Sequence, residues 1–597
     1  MLAEARIATS STAFGVSRSF SGRRWRLRDV ADEQARALAL AGNISDALAR
    51  ILSGREVSVD QLEDILNPTL KRLLPDPSVL MDMDRAVARV RAAIDAGEKI
   101  AVFGDYDVDG SCSSALLAGF LSALGHATRV YIPDRMTEGY GPNADAMRTL
   151  REEGASLVLT VDCGATAKAA FEAARDVGLD VIVLDHHAVE ELPPAYAQVN
   201  PNQPGDASRL GYLCAAGVTF LFVVALNRQL RESGWYAANN IAEPDLRDYV
   251  DLVGLATVCD VVPLVGVNRA FVRAGLAKLS MLSRPGISAL AAVAKSAAPF
   301  TPYHLGFLFG PRINAGGRVG KCTLGMELLR ATDDAVAREL ALLLDTHNRE
   351  RQALEAMILE SAVAQAATQG NTPFLLVSDE GWHPGVVGIV ASRLREQFNK
   401  PAFVAGFEGG YGRGSARSIP GIDIGIMVRA AHEAGVIESG GGHAMAAGFS
   451  LTPERLEHFR TFLVEQFAGA ATALDAANEL LIDAGIAPSG ANTMLVAELA
   501  KAGPYGAGNP EPLLGVMDAR VVFADVVGKD HVKLRVAGGD GTRLDAIAFR
   551  TAQTPLGQGL LAARGKRIHL AGRLKEDNWN GQARVQLQVE DAAPAEA

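Results

Sequence analysis

The sequence predicts a multidomain α/β chain: two regions of alternating strand and helix joined by a long helix, then a small β-barrel. Three observations carry this. Before residue 300, short apolar runs that end in glycine or an acidic residue alternate with helical spacing. The stretch 331–365 contains neither proline nor glycine. After about Asn509, five strand-like segments follow one another through turn-like connections.

Taken in order, residues 1–45 read as an N-terminal extension, poorly ordered at first and then helical. The run 99–104 (KIAVFG) is short, apolar and closed by glycine, which predicts a buried strand. Helical spacing follows over 113–124. A second buried strand is expected at 156–161 (SLVLTV) with a helix over 166–177, and a third strand at 180–184 (DVIVL). That rhythm implies a parallel sheet with helices on both faces. Residues 249–259 read as a helix running into Asp260. The Ala/Leu/Arg-rich stretch 331–365 is a connecting helix. The second α/β region is expected to place strands at 373–378, 402–405 and 446–451, with helices at 386–398, 424–434 and 454–467. The last five strands (516–527, 531–536, 543–549, 567–574 and 583–589) suit an OB-fold barrel. The expected domains are an extension (1–45), a catalytic domain (46–295), a helical connection (296–365), a second α/β domain (366–485) and the barrel (486–597).

The 597 residues fit three or four domains of roughly 100–200 residues each. With 48% hydrophobic and 21% charged residues, the balance is that of an ordinary globular protein. A net charge of −11 argues against a basic coat for nucleic acid. It weighs little, because a carboxylate-built metal site itself adds acid. The five cysteines form no Cys-x-x-Cys pair, which fits free thiols in a reducing compartment. No apolar run of about 18 residues predicts a membrane span. The first 28 residues hold six arginines and one acid, Glu4. Such composition can mimic a transit peptide, but a disordered extension of a cytoplasmic enzyme is the preferred reading.

The strongest feature is Asp105-Tyr106-Asp107-Val108-Asp109-Gly110, three alternating carboxylates directly after a buried strand. One aspartate would cap the following helix; three exceed that need, and unpaired burial would be costly. A calcium loop would require an acid at position 116, which is leucine. The pattern recurs: Asp162 ends the second strand, Asp185-His186-His187 end the third, and Asp260 follows an apolar helix. These residues converge at one edge of one sheet, where open α/β sheets hold ligands. A carboxylate-rich set with little imidazole favours Mn²⁺ or Mg²⁺. Two such cations activate water and stabilise the oxygens of an in-line phosphoryl displacement. Cys112, Cys163 and Cys259 stand beside the acids and read as packing residues.

Together these four motifs resemble the DHH phosphoesterase superfamily, and within it the exonucleases that act on single-stranded DNA. The resemblance covers the chain from about residue 25 onward. It implies a DHH domain with a parallel sheet, a DHHA1 α/β domain joined by a long helix, and a C-terminal OB-fold β-barrel. It implies two divalent cations held by Asp107, Asp109, Asp162, His186 and Asp260, with Asp162 bridging. His187 and Asp105 would be catalytic, His187 contacting the phosphate. Many relatives carry a histidine ligand where this chain has Phe103, which puts the affinity of one site in question. The DHHA1 hallmark is Gly440-Gly441-Gly442-His443. Its glycines leave backbone amides open to a phosphate and its histidine can donate, so Gly441, Gly442 and His443 are substrate-binding candidates. Arg312, Asn314 and Arg318 in the 310–318 motif, and Ser415 and Arg417 in the 413–418 motif, join them, since arginine forks suit phosphates. Trp382 and His383 either stack a base or pack.

The implied activity is 5′-to-3′ hydrolysis of single-stranded DNA to 5′-mononucleotides, in DNA repair and recombination. The polarity rests on the resemblance alone. His531, Lys533 and Arg535 alternate along one strand and, with Lys566, Arg567, Arg573 and Lys575, would favour single-strand binding by the barrel. Single-stranded DNA is the expected partner, with a single-stranded-DNA-binding protein and a helicase as accessory partners, no membrane, and a monomeric state. Two rivals remain. A phosphoesterase for short oligonucleotides or cyclic dinucleotides would lack the barrel. An inactive scaffold would have lost metal ligands.

Overall fold

In the computed structural model the described residues are 12–134, 137–370, 372–468, 478–579 and 582–595. The N-terminal strand β1 (Arg24–Leu27) belongs with the C-terminal half of the chain and is taken up below. Next come β2 (Ile100–Gly104), β3 (Arg129–Tyr131), β4 (Leu157–Val161), β5 (Asp180–Leu184) and β6 (Ala197–Val199). They pair in parallel in the order β3-β2-β4-β5-β6. β2 and β4 are buried along their whole length. They therefore read as unbroken apolar runs without in–out alternation, as central parallel strands do. Strand order reverses between β2 and β4, and the crevice at the carboxyl ends of these two strands is the switch point of the sheet.

The helix after β2 begins at Val108, earlier than its apolar spacing suggests, because Asp107 caps it by accepting from the Gly110 N–H at 3.0 Å. β3 and β6 escape the sequence pattern because each has only three residues. The connecting helix runs over Asp334–Thr368, roughly 50 Å at about 1.5 Å per residue. The chain's contacts divide within it. Pro68–Leu354 with Pro504–Pro510 form one compact unit. The described residues of Met1–Asn67, Glu355–Gly503 and Glu511–Ala597 form the other.

In the second unit, β7 (Leu375–Glu380), β8 (Ala402–Glu408), β9 (Tyr411–Arg417), β10 (Ser439–His443) and β11 (Ala446–Leu451) form a sheet in the order β10-β11-β9-β8-β7. β7 and β8 are parallel and the other pairs antiparallel. β9 and β10 are absent from the pattern-based expectation. Their glycine-rich sequences read as loops, yet cross-strand pairing holds them extended. Phe374, Phe403, Phe449 and Phe459 fill the core behind this sheet.

The chain then runs through β12 (Glu479–Ile482) and β13 (Ala484–Ile486) into β14 (Leu514–Val527), β15 (His531–Ala537), β16 (Arg543–Ala548), β17 (Arg567–Trp579) and β18 (Gln582–Pro594). The last five close as β14-β15-β16-β18-β17, with β17 pairing back onto β14 and the helix Pro555–Ala562 between β16 and β17. This is the expected OB-fold barrel.

Residues 12–28 overturn the expectation of a disordered extension; residues 1–11 lie outside the described ones. β1 pairs in parallel with β12, Trp25 opposite Leu480. Trp25 is fully buried among Ala13, Val16, Ile482, Leu513, Ala571 and Ala593. Its indole N–H donates to Asp591 Oδ2 at 3.0 Å, and Arg23 Nε lies 3.3 Å from the same buried carboxylate. The arginines masked a segment whose Trp25, with Phe14 against it, supplies apolar area for docking, and whose donors satisfy a buried acid.

Trp25→Ala is expected to destabilise the second unit by about 3–5 kcal/mol, the usual cost of emptying a large aromatic site. Urea unfolding followed by circular dichroism reads this, and a loss below about 1 kcal/mol would show that the segment is not part of the core.

Candidate metal centre

The carboxyl ends of β2, β4 and β5 deliver the predicted residues to one place. Asp105, Asp107 and Asp109 follow β2, Asp162 follows β4, and the 185–187 triplet follows β5. Asp260 arrives from the C-terminal end of the helix Val250–Cys259. Ligand atoms of Asp105, Asp107 and Asp162 lie within 4.8 Å of one another, and so do those of Asp109, His186 and Asp260. His186 Nε2 links the groups: it is 3.4 Å from Asp162 Oδ1, 3.6 Å from Asp260 Oδ2 and 3.9 Å from Asp109 Oδ2. His186 Nε2 and Asp260 Oδ2 are buried without a hydrogen-bond partner. Orphaned lone pairs facing one another across ligand-sized gaps fit divalent cations. No cysteine belongs to either group; Cys112 and Cys163 are fully buried beneath.

Two of the acids, Asp107 and Asp109, are aimed by backbone amides. Asp109 is 1% exposed, and its two oxygens accept from the Ala215 and Ala216 N–H groups at 2.6 and 2.8 Å, at the start of the helix Ala215–Glu232. Asp162 adopts φ +60°, a conformation that costs a non-glycine residue energy and that concentrates at functional sites. Phe103 is fully buried and stacks on Tyr131, with ring centroids 5.3 Å apart. It supplies no ligand, and the three-carboxylate group forms without one.

The two histidines are driven apart in charge. Burial, reinforced by neighbouring His187, pulls His186 down to about 4, so it is a neutral ligand at pH 7. Burial also opposes charge on His187, but the hydrogen bond from its Nδ1–H to Asp185 Oδ1, 2.7 Å long, outweighs it and raises the group to about 9. Asp185, which sequence reasoning left without a role, is thereby the positioning carboxylate. Burial is overcome there too, by the bond to His187, and the group falls to about 2. Asn200 and Asn202, not anticipated, donate to the His187 and His186 carbonyls at 2.8 and 2.6 Å. Tyr140, also unforeseen, donates to the Asp162 carbonyl at 3.2 Å and sets its ring edge-on to His187.

The substrate candidates fall in two places. Arg312, Asn314 and Arg318 lie on the helix Gly310–Val319 rather than on a glycine-rich loop. Its Gly317 is needed for approach: a Cβ there would stand 3.0 Å from the Tyr106 ring. Arg312 donates to Asp345 and to the Leu308 carbonyl, at 2.9 and 2.7 Å. Asn314 Oδ1 is buried without a hydrogen-bond partner.

In the second unit, pairing across β10, β11 and β9 aligns Gly441 with Gly448 and Ser415, and His443 with Ala446 and Arg417. Directly opposed residues share a face, so two motifs far apart in sequence meet there. A Cβ at Gly441 or Gly448 would touch nothing, leaving bare backbone beside Ser415. Gly442 is the intervening residue of β10, and its carbonyl accepts from Arg429 at 2.8 Å. Arg417 has no carboxylate partner among the described residues. Burial, then neighbouring Arg395, lowers its pKa. A half-buried guanidinium without an acid suits an anionic ligand. Trp382 packs at 7% exposure, and half-buried His383 caps the helix Pro384–Phe398.

On the barrel, His531, Lys533 and Arg535 alternate with buried Val532, Leu534 and Val536, as expected. Arg535, Arg567, Arg573 and Lys575 are ion-paired, with Asp545, Asp518, Glu590 and Glu511. Lys533 and Lys566 are not, among the described residues. No helix among those residues is long and apolar enough to cross a membrane.

Three family models match the chain: the DHH family N-terminal domain over 99–257, the DHHA1 domain over 371–469, and the RecJ OB domain over 482–591. Relatives described as single-stranded-DNA-specific exonuclease RecJ include those of Escherichia coli and Bacillus subtilis. The first is 35% identical over 95% of this chain and 99% of its own. The second is 32% identical over 96% and 71%. Among solved structures, RecJ of Thermus thermophilus in complex with Mn²⁺ superposes with a TM-score of 0.79 at 29% identity, covering 96% of this chain and 80% of that one. The Mg²⁺ complex gives 0.75.

Burial and the neighbouring Asp107 raise Asp109 to about 7; burial and Asp109 raise Asp260 to about 9. With no cation bound, the fold then holds more protons than the unfolded chain from about pH 4 upward, and these groups lose their contribution as pH rises through 7 and 9. Bound cations remove the penalty. The rise in Tm from EDTA to Mn²⁺ is expected to be larger at pH 8.5 than at pH 5.5, with protons released on binding. Differential scanning fluorimetry at the two pH values checks this; equal shifts would contradict the assignment.

Proposed function

Because the chain belongs to the RecJ family of single-stranded-DNA-specific exonucleases, we propose that it removes 5′-mononucleotides from the 5′ end of single-stranded DNA, in repair and recombination. The observation that carries the reading is the clustering of ligand groups at the switch point of the parallel sheet, among them Asp105-Asp107-Asp162 and Asp109-His186-Asp260. Asp105, Asp107 and Asp162 would hold one divalent cation. Asp109, His186 and Asp260 would hold the other, with Asp162 close enough to His186 to be shared. Asp105 is thus proposed as a ligand. Two such cations, Mn²⁺ or Mg²⁺, supply water activation and charge stabilisation of an in-line displacement.

His187, protonated at neutral pH and fixed by Asp185, would donate to a non-bridging oxygen of the scissile phosphate. Its carbonyl anchor through Asn200 keeps the ring from swinging away as charge develops. Asn314, Arg312 and Arg318 are proposed to line the DNA backbone beside the acidic loop. Ser415, Arg417, Gly441, Gly442 and His443 would receive a phosphate on the sheet face where bare glycine backbone allows close approach. Lys533 and Lys566 offer uncommitted positive charge on the barrel for the trailing strand. A single-stranded-DNA-binding protein and a helicase are proposed as partners, and a cytoplasmic site of action follows from the reaction. The complete ligand set argues against an inactive scaffold, and the barrel against a cyclic-dinucleotide substrate.

Oligonucleotides labelled at the 5′ or the 3′ end, with Mn²⁺ or Mg²⁺ and an EDTA control, test the reaction and its direction. Immediate release of the 5′ label as a mononucleotide, with gradual shortening of the 3′-labelled strand, is expected; the converse would reverse the polarity. Asp162→Ala should abolish cleavage and keep the fold, since it removes the shared ligand. Full activity of that variant after chelation and metal repletion would sink the site.

A further inference from the structure

Asp260 differs from Asp107 and Asp109 in how it is held. Asp107 caps a helix and Asp109 is gripped by two amides at a helix N-terminus. Asp260 sits at the C-terminal end of its helix, where the backbone dipole disfavours a carboxylate, and its Oδ2 has no hydrogen-bond partner. The next residue, Val261, takes φ +60° and is largely exposed. The helix therefore does not fix the carboxylate; the turn that follows must.

That turn, Asp260 to Leu264, is clamped from two sides. Asn268 Nδ2 donates to the Pro263 carbonyl at 3.0 Å and to the Tyr212 carbonyl at 2.7 Å. From the other side comes Pro504–Pro510, which packs with this unit although the residues before and after it belong to the other. The Leu264 N–H donates to the Ala507 carbonyl at 2.7 Å. Gly506 and Asn509 pair to close a tight turn, which the Asn509 side chain tightens by donating to the Pro504 carbonyl at 2.9 Å. Gly508 lies at φ +67°, and a Cβ there would stand 2.8 Å from Pro263 Cβ.

We infer that Pro504–Pro510 is a brace that positions Asp260 for metal binding, acting through Leu264 and Pro263. The brace makes the chain beyond the second α/β sheet part of the metal site's support, an inference that rests on the two-cation reading above. Outer contacts of this kind ordinarily govern metal affinity more than substrate binding.

The test uses full-length protein and Mn²⁺ alone, followed by electron paramagnetic resonance titration, with kcat and KM for single-stranded DNA measured in parallel. Gly508→Ala is expected to weaken one of the two Mn²⁺ sites by roughly tenfold. It should lower kcat at limiting Mn²⁺ without raising KM, and excess Mn²⁺ should restore the rate. Gly97→Ala imposes similar backbone strain at φ +65° with nothing within 4 Å, and should titrate as wild type. Should Gly508→Ala not fold, Asn509→Ala loosens the same turn and should shift the same site in the same direction. A wild-type titration by both brace variants, while Asp260→Ala loses one Mn²⁺, overturns the brace and leaves the metal site standing. A wild-type titration by Asp260→Ala as well overturns both.

Discussion

Mutual repulsion among five carboxylates crowded into one crevice, three of them buried and two half-buried, is the constraint on which this structure turns. Asp105, Asp107, Asp109, Asp162 and Asp260 meet where water is largely excluded, and like charges at such distances cannot all ionise unaided. Burial first, and then that repulsion, raises the pKa values of Asp109 and Asp260. It is resolved by two kinds of counter-charge: amide dipoles directed at particular oxygens, and gaps of ligand size left between the others. The parallel sheet makes this possible, because its strands end side by side and its helices begin with their amides facing the same crevice.

Rigidity follows from the same conflict. Groups that repel drift apart unless the backbone behind them is over-determined, and several restraints here supply that. The strained φ of Asp162, the asparagines behind the histidines, and the close seat of Gly317 against Tyr106 all hold positions the side chains would not choose alone. Asp185 works by a different route, holding a positive charge on His187 close to the acids.

How much of this the sequence discloses depends on the range of the interaction. β2, β4 and β5, with the acids at their ends, are written in consecutive residues, and hydrophobic runs reveal them. The ligand groups follow because the ends of parallel strands are neighbours by construction. Phe103 is legible as an odd residue, but not as a core residue stacked on Tyr131. What stays hidden depends on pairings between distant segments: the extended state of Ser439–His443, the alignment of Ser415 with Gly441, and the paired state of four of the barrel's cationic side chains. No local pattern encodes a partner far along the chain, and arginines mask the one tryptophan that would have announced β1.

That last pairing sets a timetable. The indole of Trp25 meets a carboxylate 566 positions later. At synthesis rates of about 5–20 residues per second, the segment waits roughly 30 to 110 s for its partner to be made. Until that carboxylate is made the docking site of Trp25 is incomplete, so this segment is among the last to fold. Contacts of such long sequence separation close slowly even once both ends exist. The newborn chain thus carries an open hydrophobic segment from the synthesis of Trp25 until its distant partner is made, and exposed apolar surface of that kind is what makes partly made chains prone to aggregate.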